Sequence, residues 1–436
     1  MHYAEHYREV STDLPGQSLP WLRSLRTEAE VDFATRGFPS PREEEWRYTN
    51  VTPIEKKRFA PVSPADDTAS VAQAIIQRHR LTDAWSLVFV DGIYSPSQSR
   101  LAGVPGNAVI HPVAEALERC PEKVRAILQQ VADKETHGFV AFTTAYFRDG
   151  AFIALPDHLV LEKPLQILHV STQAEGLSVL RHLVSLGAHA QATVIETCAG
   201  ENETGYLTAS VTEIDLAANA HLHHYKLQSE GARSYHFGGI YAAQKATSRF
   251  RQHHAAFGGL MARTEIHSDL GQAAECDLDG LFLASGRRHL DTHTILRHNA
   301  PRTVSREAYR GIASERGRGV FSGRIVVGKQ AQKTDAEMNN RNLLLSDDAE
   351  IDSKPQLEIH ADDVKCAHGV TVGQLSAESI FYLRSRGIDE ASARNMLTFA
   401  FANEMVEKIQ HEGHRRQVRD ALLANLPQTD IRGDWL

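Results

Sequence analysis

The sequence predicts a mainly β protein with helical regions at both ends. Short apolar runs broken by Gly, Asn, Asp and Pro follow one another from residue 150 to about residue 359, which is typical of successive strands. Few apolar stripes long enough for a helix interrupt them. Helical spacing of apolar residues appears before this stretch and again after it. We therefore expect an N-terminal, mostly helical region (1–149), a strand-rich core (150–375) and a C-terminal helical region (376–436).

The composition argues against several classes of function. The 436 residues are 42% hydrophobic and 23% charged, with a formal net charge of −8. An acidic balance does not favour nucleic acid as a partner. The apolar runs are too short to span a bilayer, and the N-terminus lacks the apolar core of a signal peptide. The four cysteines lie far apart without a Cys-x-x-Cys motif, so we expect no disulfide scaffold and a cytoplasmic location.

The N-terminal region is expected to contain short helices and one strand. Residues 71–79 have the pattern of a short helix, and residues 85–90 that of a buried strand. Residues 113–118 and 121–132 predict two helices, the second opened by Pro121. Cys120 lies at their joint and is interpreted as a packed thiol, because no other cysteine or histidine adjoins it at ligand spacing.

The strand-rich core leaves three architectures open. Strands without intervening helices argue against the Rossmann and TIM-barrel folds. A sandwich, a barrel and a parallel β-helix all remain, since the runs have no strict period that would establish a solenoid. Small residues near the ends of several runs, such as Gly187 and Ala188, are compatible with stacked coils that turn tightly.

The C-terminal region shows a helical pattern with a clear break. Gly387 is expected to end one helix, and Asp389 to cap the next. In that second helix an apolar stripe recurs at steps of four residues. The stripe either packs on the strand-rich core or forms a docking face for a partner. It comprises Leu397, Phe401, Met405 and Ile409.

One glycine-rich segment comes close to a phosphate-binding P-loop without matching it. Gly323, Gly328 and Lys329 have the required spacing. Gln330 stands where a P-loop needs Ser or Thr to reach Mg²⁺, and the residues between the glycines are largely β-branched. We therefore expect no nucleotide hydrolysis by this segment.

Cys366 and His368 are the strongest candidates for metal ligands. Side chains two residues apart face the same side of a strand, so a thiolate and an imidazole could reach one ion. The pair suits zinc, copper or an iron–sulfur species, but a structural zinc site needs four ligands. Further ligands would come from His360, Asp362 or Asp363, from a second chain or from a transient cargo. A half-buried cysteine beside a turn histidine, or a thiol nucleophile with its base, remains an alternative.

Other polar residues in strand-like runs are weaker candidates. A β-helix polysaccharide lyase would place acids and bases on one strand face, but clustered carboxylates for calcium are missing from the sequence. The polar-rich strand in question contains Arg287, His289, Asp291, His293 and Arg297. A second set of histidines is interpreted as surface or stacked side chains. That set is His221, His223, His224, His253 and His254.

Four segments together resemble a known protein family. They are FSGRIVVGKQAQKTDAEMNNRNLLLS (321–346), PQLEIHADDVKCAHGVTVGQL (355–375), FYLRSRGI (381–388) and GFPSPREEEWRYTNV (37–51). They are similar to the SufB/SufD family of iron–sulfur cluster assembly proteins. The resemblance covers most of the chain and is strongest in its last third, and the motifs are long and specific.

The resemblance implies a right-handed parallel β-helix core between the helical regions. It also implies a complex of one SufB, two SufC ATPases and one SufD. Within the family this chain resembles SufD more than SufB, because it is shorter and poorer in cysteine than SufB. Cys366 and His368 would lie at the interface with SufB and share a nascent iron–sulfur cluster transiently. The resemblance implies a role in iron supply, no catalytic residue and no cofactor bound stably by the isolated chain. A reduced flavin is associated with the whole complex in this family.

The resemblance also implies the contact surfaces. SufC would bind the C-terminal helices through Phe381, Leu397, Phe401 and Met405, and SufB would bind the end of the β-helix. The isolated chain could form a homodimer, and neither nucleic acid nor a membrane is expected as a partner. Two alternatives are retained. One is a SufB-like scaffold that holds a cluster by itself, and the other is a β-helix enzyme that acts on polysaccharides.

Overall fold

The core of the protein is a parallel β-helix, as predicted. The computed structural model describes residue 3 and residues 10–62, 69–132 and 137–426. Within that part the strands of the β-helix run from residue 151 to residue 373, and helices flank them at both ends. The three architectures left open by the strand pattern are thereby reduced to one.

The strands alternate between two sheets. In chain order they are β1 (Ala60–Pro61), β2 (Trp85–Val90), β3 (Ile93–Tyr94), β4 (Val109–Pro112), β5 (Ala151–Leu155), β6 (Leu165–Ser171), β7 (Gly176–Leu186), β8 (Gln191–Gly200), β9 (Leu207–Leu216), β10 (His221–Ser229), β11 (Tyr235–Gln244), β12 (Arg249–Ala256), β13 (Met261–Leu270), β14 (Glu275–Ala284), β15 (His289–His298), β16 (Val304–Ala313), β17 (Arg318–Val327), β18 (Asp335–Leu344), β19 (Glu350–Ile359) and β20 (Lys365–Gly373). From β5 onward the odd-numbered strands form one sheet and the even-numbered strands the other. Each coil therefore contributes one strand to each sheet.

One corner of each coil contains a residue in the left-handed backbone conformation. φ is 64° at His158, 59° at Asn219 and 53° at Ala273, although only glycine adopts this region without strain. At these corners the backbone N–H donates to a carbonyl of the next coil, as from His158 to Ala188. These bonds pair backbone groups that a tight turn would otherwise leave unpaired, and so offset the strain. The corner column comprises His158, His189, Asn219, Thr247, Ala273, Arg302 and Lys333.

Glycines on the inner faces make room for large side chains of neighbouring strands. A Cβ atom at Gly280 would lie 2.1 Å from Cε1 of Tyr309 in the next coil. A Cβ atom at Gly323 would lie 2.6 Å from Sδ of Met338. Such separations are far below van der Waals contact, so any larger residue would force the core to move. The glycine of the FSGR segment thus serves packing, and it lies inside a strand, not in a phosphate-binding loop.

The N-terminal region packs most of its helices against the outer face of the first sheet, whereas the helix at Ala69–His79 packs on β6 and β8 of the second sheet. The predicted helix 71–79, strand 85–90 and helix 113–118 are confirmed. Cys120 is half-buried and packs against the apolar cluster of this region, as interpreted from the sequence. The helices are α1 (Pro20–Arg36), α2 (Thr52–Lys56), α3 (Ala69–His79), α4 (Val113–Arg119), α5 (Pro121–Arg125) and α6 (Gly138–Tyr146), with single 3₁₀ turns at Ser11–Asp13, Glu44–Trp46 and Pro96–Gln98.

The helix predicted over 121–132 is wrong in its second half, because α5 ends at Arg125. The carboxylate of Glu213, on β9 of the β-helix, accepts hydrogen bonds from backbone N–H groups of the segment after α5. Oε1 of Glu213 accepts from the N–H of Gln129 at 2.8 Å, and Oε2 accepts from those of Val131 and Ala132 at 3.0 Å. These bonds replace the i to i−4 bonds that a continued helix would need. Glu213 itself pairs with Arg181 at 2.6 Å, with both side chains fully buried.

The C-terminal region forms three helices, α7 (Ala377–Ser385), α8 (Glu390–Val406) and α9 (Glu412–Asn425). The predicted break is confirmed, since Gly387 has a φ of 88° and the side chain of Asp389 accepts from the N–H of Ser392 at 3.0 Å. Residues 427–436 of the predicted helical region lie outside the described residues. Across the described residues no helix combines the length and the apolarity that a membrane span requires.

Candidate functional site

Cys366 and His368 lie on β20, the last strand of the β-helix. The register aligns Cys366 with Ala336 and His368 with Met338 on β18. Ala336 and Met338 belong to the apolar core inside the β-helix, and aligned residues of neighbouring strands face the same side. The thiol and the imidazole therefore share the inward-facing side of β20, at the coil where the interior ends.

The last coil is more open than the coils before it. Every residue of β19 and β20 is half-buried or exposed, whereas β17 is mostly buried. Cys366 is half-buried and His368 is exposed. Burial raises the pKa of the Cys366 thiol, so the free thiol keeps its proton near neutral pH. A metal ion that binds here has to displace that proton.

The nearby candidates leave the ligand set incomplete. The carboxylate of Asp363 forms an ion pair with Lys333, and Asp362 and His360 are exposed at the turn before β20. In the part of the chain that the structure describes, no group of three metal-capable side chains within reach of one ion includes Cys366. Among the described residues, Cys366 and His368 are therefore two candidate ligands at the end of the β-helix without a third beside them.

The predicted docking residues of the C-terminal helices fall into two groups. Phe381 on α7 is 72% exposed, and Leu397 and Phe401 on α8 are partly buried. Met405 and Ile409 are buried in a cluster between α8, α9 and the second sheet. Of the two readings of the apolar stripe, packing on the strand-rich core therefore holds for Met405 and Ile409, which anchor the end of α8 on the β-helix.

The segment 37–51 fastens the N-terminal region to the first sheet. The guanidinium of Arg263 lies 3.6 Å from the centroid of the Trp46 ring and donates to the carbonyl oxygen of Glu45 at 2.9 Å. Arg263 also pairs with Asp291 at 2.7 Å. Burial opposes the ionisation of Asp291, but His293 and Arg263 hold the pKa of that carboxyl well below its usual range. This polar strand face is thus covered by the chain itself, and Asp291 and His293 are buried where a polysaccharide would have to bind.

The β-helix interior contains an ion pair that the sequence did not suggest. Glu196 on β8 and Lys226 on β10 align, and their side chains form a salt bridge with no solvent exposure. Burial would raise the pKa of Glu196, but Lys226 and the neighbouring imidazoles hold it well below its usual range. Burial would lower the pKa of Lys226, but Glu196 raises it. The sequence did contain a signal for this pair. On a strand every second residue faces the same side, so Glu196 and Lys226 share the inward face with apolar residues such as Val194 and Leu222.

The histidines interpreted as surface or stacked side chains are divided between the two faces of the second sheet. His221 and His223 are partly exposed on the outer face. His224 and His254 are buried on the inner face, near Glu196 and Lys226. Burial lowers the pKa of His224 to about 4, so its ring is neutral at physiological pH.

Two family models together match most of the chain, from residue 1 to residue 401. A family model described as "SUF system FeS cluster assembly, SufBD core domain" matches residues 169–401. A second, described as "SufBD protein N-terminal region", matches residues 1–167. The two matches meet close to the first coils of the β-helix.

Whole-chain relatives agree with these matches. The chain is 35% identical over 403 residues to the iron–sulfur cluster assembly protein SufD of Escherichia coli, which covers 90% of each chain. It is 30% identical to an iron–sulfur cluster assembly SufBD family protein of Synechocystis, over 85% of this chain and 84% of that one. It is 26% identical to the chloroplastic protein ABCI7 of Arabidopsis thaliana, over 96% and 89%. The chain therefore belongs to the SufBD family of iron–sulfur cluster assembly proteins.

Proposed function

We propose that this chain is the SufD-type subunit of a scaffold complex on which iron–sulfur clusters are assembled. Family membership and the similarity to Escherichia coli SufD support the general role. The observation that carries the specific proposal is the placement of Cys366 and His368 at the open end of the β-helix. Two ligands suit a nascent cluster that is passed on, because a complete set of four would retain it.

The open end is the proposed contact with a SufB-type partner. β19 and β20 present the edges of both sheets, and an uncovered strand edge is a template for association with another chain. A partner that met this end would bury the half-exposed strands. It would also supply the ligands that Cys366 and His368 lack. The isolated chain would form a homodimer through the same surface.

Helix α7 is the proposed contact with a SufC-type ATPase. Phe381 and Tyr382 are 72% and 57% exposed, and large apolar side chains grouped at a surface mark interaction sites. Leu397 and Phe401 would border this contact, while Met405 would support α8 from beneath. An ATPase partner would also provide the nucleotide hydrolysis for which this chain has no P-loop.

In this proposal the chain catalyses no reaction and serves to hold iron and the growing cluster in place. It would hold iron and the growing cluster between two subunits in the cytoplasm, and thereby support iron supply to the scaffold. A reduced flavin would belong to the assembled complex, and the cluster would be cargo shared with the SufB-type partner.

Anaerobic reconstitution with Fe²⁺ and sulfide tests the proposal, on the chain alone and together with SufB and SufC partners. We expect sulfide-to-iron charge-transfer absorbance that is stable only in the complex and weaker with Cys366→Ser or His368→Ala. Thr371→Ala, an exposed substitution on the same strand, should leave the signal unchanged. A stable cluster on the isolated chain would assign it the SufB-like role, and cleavage of a polysaccharide by the isolated chain would contradict the scaffold proposal.

A further inference from the structure

A second group of metal-capable side chains lies in the first coils of the β-helix, near the end of the second sheet opposite to β20. His169 on β6 aligns with Cys198 on β8, and Glu196 lies two residues before Cys198 on the same face. A ring nitrogen of His169, a carboxylate oxygen of Glu196 and Sγ of Cys198 all lie within 4.8 Å of one another. Each side chain belongs to a residue that is at most 3% exposed. Small side-chain rotations would bring these atoms to the separations found around a bound ion.

His169 is the residue that points to a missing ligand. Neither of its ring nitrogens has a hydrogen-bond partner in the part of the chain that the structure describes. A buried polar atom without a partner costs about 1–3 kcal/mol. In a neutral imidazole one of the two ring nitrogens has a free lone pair. An ion bound to that lone pair would remove the cost.

The adjacent His182 is excluded as a further ligand. Its ring centroid lies 4.9 Å from that of His169. Nδ1 of His182 accepts a hydrogen bond from the backbone N–H of Ala151 at 2.9 Å. The neutral ring therefore has its proton on Nε2 and no lone pair to offer there. The group thus provides three protein ligands, and a water molecule would take the fourth position of a tetrahedral ion.

We propose that His169, Glu196 and Cys198 bind one divalent first-row transition-metal ion of the zinc or ferrous type. A set of imidazole, carboxylate and thiolate suits these ions, whereas calcium and magnesium take oxygen ligands. On binding, the Cys198 thiol loses its proton to solvent and the sulfur forms a bond to the metal. The site is separate from Cys366 and His368, and it requires neither a partner chain nor the function proposed above.

The charge of Lys226 and the proton of the Cys198 thiol both affect how an ion could bind to the three ligands. The ammonium of Lys226 contacts the same Glu196 carboxylate, so the ion has to share that carboxylate with Lys226. The thiol of Cys198 also points at Glu196, 3.8 Å from Oε1. Loss of the thiol proton adds one negative charge, which offsets part of the charge of the incoming ion.

Cobalt(II) is the probe, because thiolate-bound Co²⁺ shows near-ultraviolet charge transfer and tetrahedral Co²⁺ absorbs strongly in the visible range. The ligands are inaccessible in the folded chain, so the full chain is refolded anaerobically with Co²⁺ and freed of excess ion. The background carries Cys366→Ser and His368→Ala to remove the ligands at the other end. We expect one retained Co²⁺ per chain and both spectral features.

Two variants and a matched control identify the ligands. Cys198→Ser should abolish the charge-transfer band, and His169→Gln should lower the affinity for Co²⁺ by about tenfold or more. Cys276→Ser is the control, because Cys276 is equally buried on the inner face of the same sheet and is part of no such group among the described residues. It should keep the band unchanged. If Cys198→Ser does not fold by circular dichroism, His169→Gln, which retains the thiol, decides the question.

Two results would overturn the proposal. One is a correctly refolded chain that retains no cobalt, in which case the interior holds water. The other is a charge-transfer band that survives Cys198→Ser, which would place the sulfur ligand elsewhere.

Discussion

Replacement of Lys226 by methionine should destabilise the fold by about 3 kcal/mol at pH 7. The substitution removes the cationic partner of the buried Glu196 carboxylate. Its remaining neighbours are Ser210 at 3.5 Å, Thr212 at 3.3 Å and the ring of His224 at 3.7 Å, which is neutral because burial lowers the pKa of His224 to about 4. The carboxylate would then take up a proton. With an ordinary pKa of 4.5, protonation at pH 7 costs about 1.36 kcal/mol for each of roughly 2.5 pH units, or about 3.4 kcal/mol. That figure agrees with the roughly 3–5 kcal/mol typical of a broken buried pair.

The pH dependence of this loss has a defined sign. In the variant the folded state keeps a proton that the unfolded state releases above pH 4.5, so stability falls by about 1.36 kcal/mol per pH unit as the pH rises. In the native chain Glu196 is ionised in both states over this range and adds no slope, because its folded pKa lies well below 4.5. The difference in stability should therefore grow from about 0.7 kcal/mol at pH 5 to about 3.4 kcal/mol at pH 7.

Urea unfolding at pH 5, 6 and 7, with a chelator present, measures this difference. Addition of Glu196→Gln to Lys226→Met should abolish the slope, since the titrating group is gone. Lys408→Met is the surface control. It breaks the pair with Asp279 (2.6 Å), whose side chains are 39% and 22% exposed, and should cost less than about 1 kcal/mol at every pH. A loss for Lys226→Met that is the same at all three pH values would refute the reasoning.

Other substitutions test the packing, a second buried acid and the proposed docking helix. Gly280→Ala should cost about 1–3 kcal/mol in urea unfolding through the clash with Tyr309, and Tyr309→Leu in the same chain should recover part of it. Burial raises the pKa of Glu307 to about 7, so the contribution of this carboxyl to stability falls as the pH rises from 4.5 towards 7, and Glu307→Gln should remove that contribution to the slope. Phe381→Ser should shift the melting temperature by less than about 2 °C, yet weaken calorimetric binding of a SufC-type ATPase. Phe399→Ser, at a buried position of α8, should lower the melting temperature instead.

The strands were predictable from the sequence, but the way they stack was not. A run of alternating residues defines a strand without naming its partner, and here each strand pairs with the strand of the next coil. The corner residues from His158 to Lys333 are separated by 26 to 31 residues. That variation explains why no strict period is visible, and why the β-helix had to be inferred from the family resemblance.

The candidate sites were also predictable only where their residues are close together in the sequence. Cys366 and His368 could be paired from the sequence because they lie two residues apart on one strand. Glu196 and Lys226 are neighbours in space but separated by a full coil, so only the register joins them. Helical spacing identified the apolar stripe on α8, but it could not show that Met405 lies on the side of the helix that faces the β-helix.

The contacts of the segment 37–51 determine when this segment can fold during synthesis of the chain. Arg263 and Asp291 are added to the chain 218 and 242 residues after their partners Glu45 and Thr49. At about 5–20 residues per second, a ribosome needs on the order of 10–50 s to supply them. Throughout that interval Trp46 lacks the guanidinium that covers its ring in the finished fold. The part of the chain that is made first is thus among the last to reach its final structure.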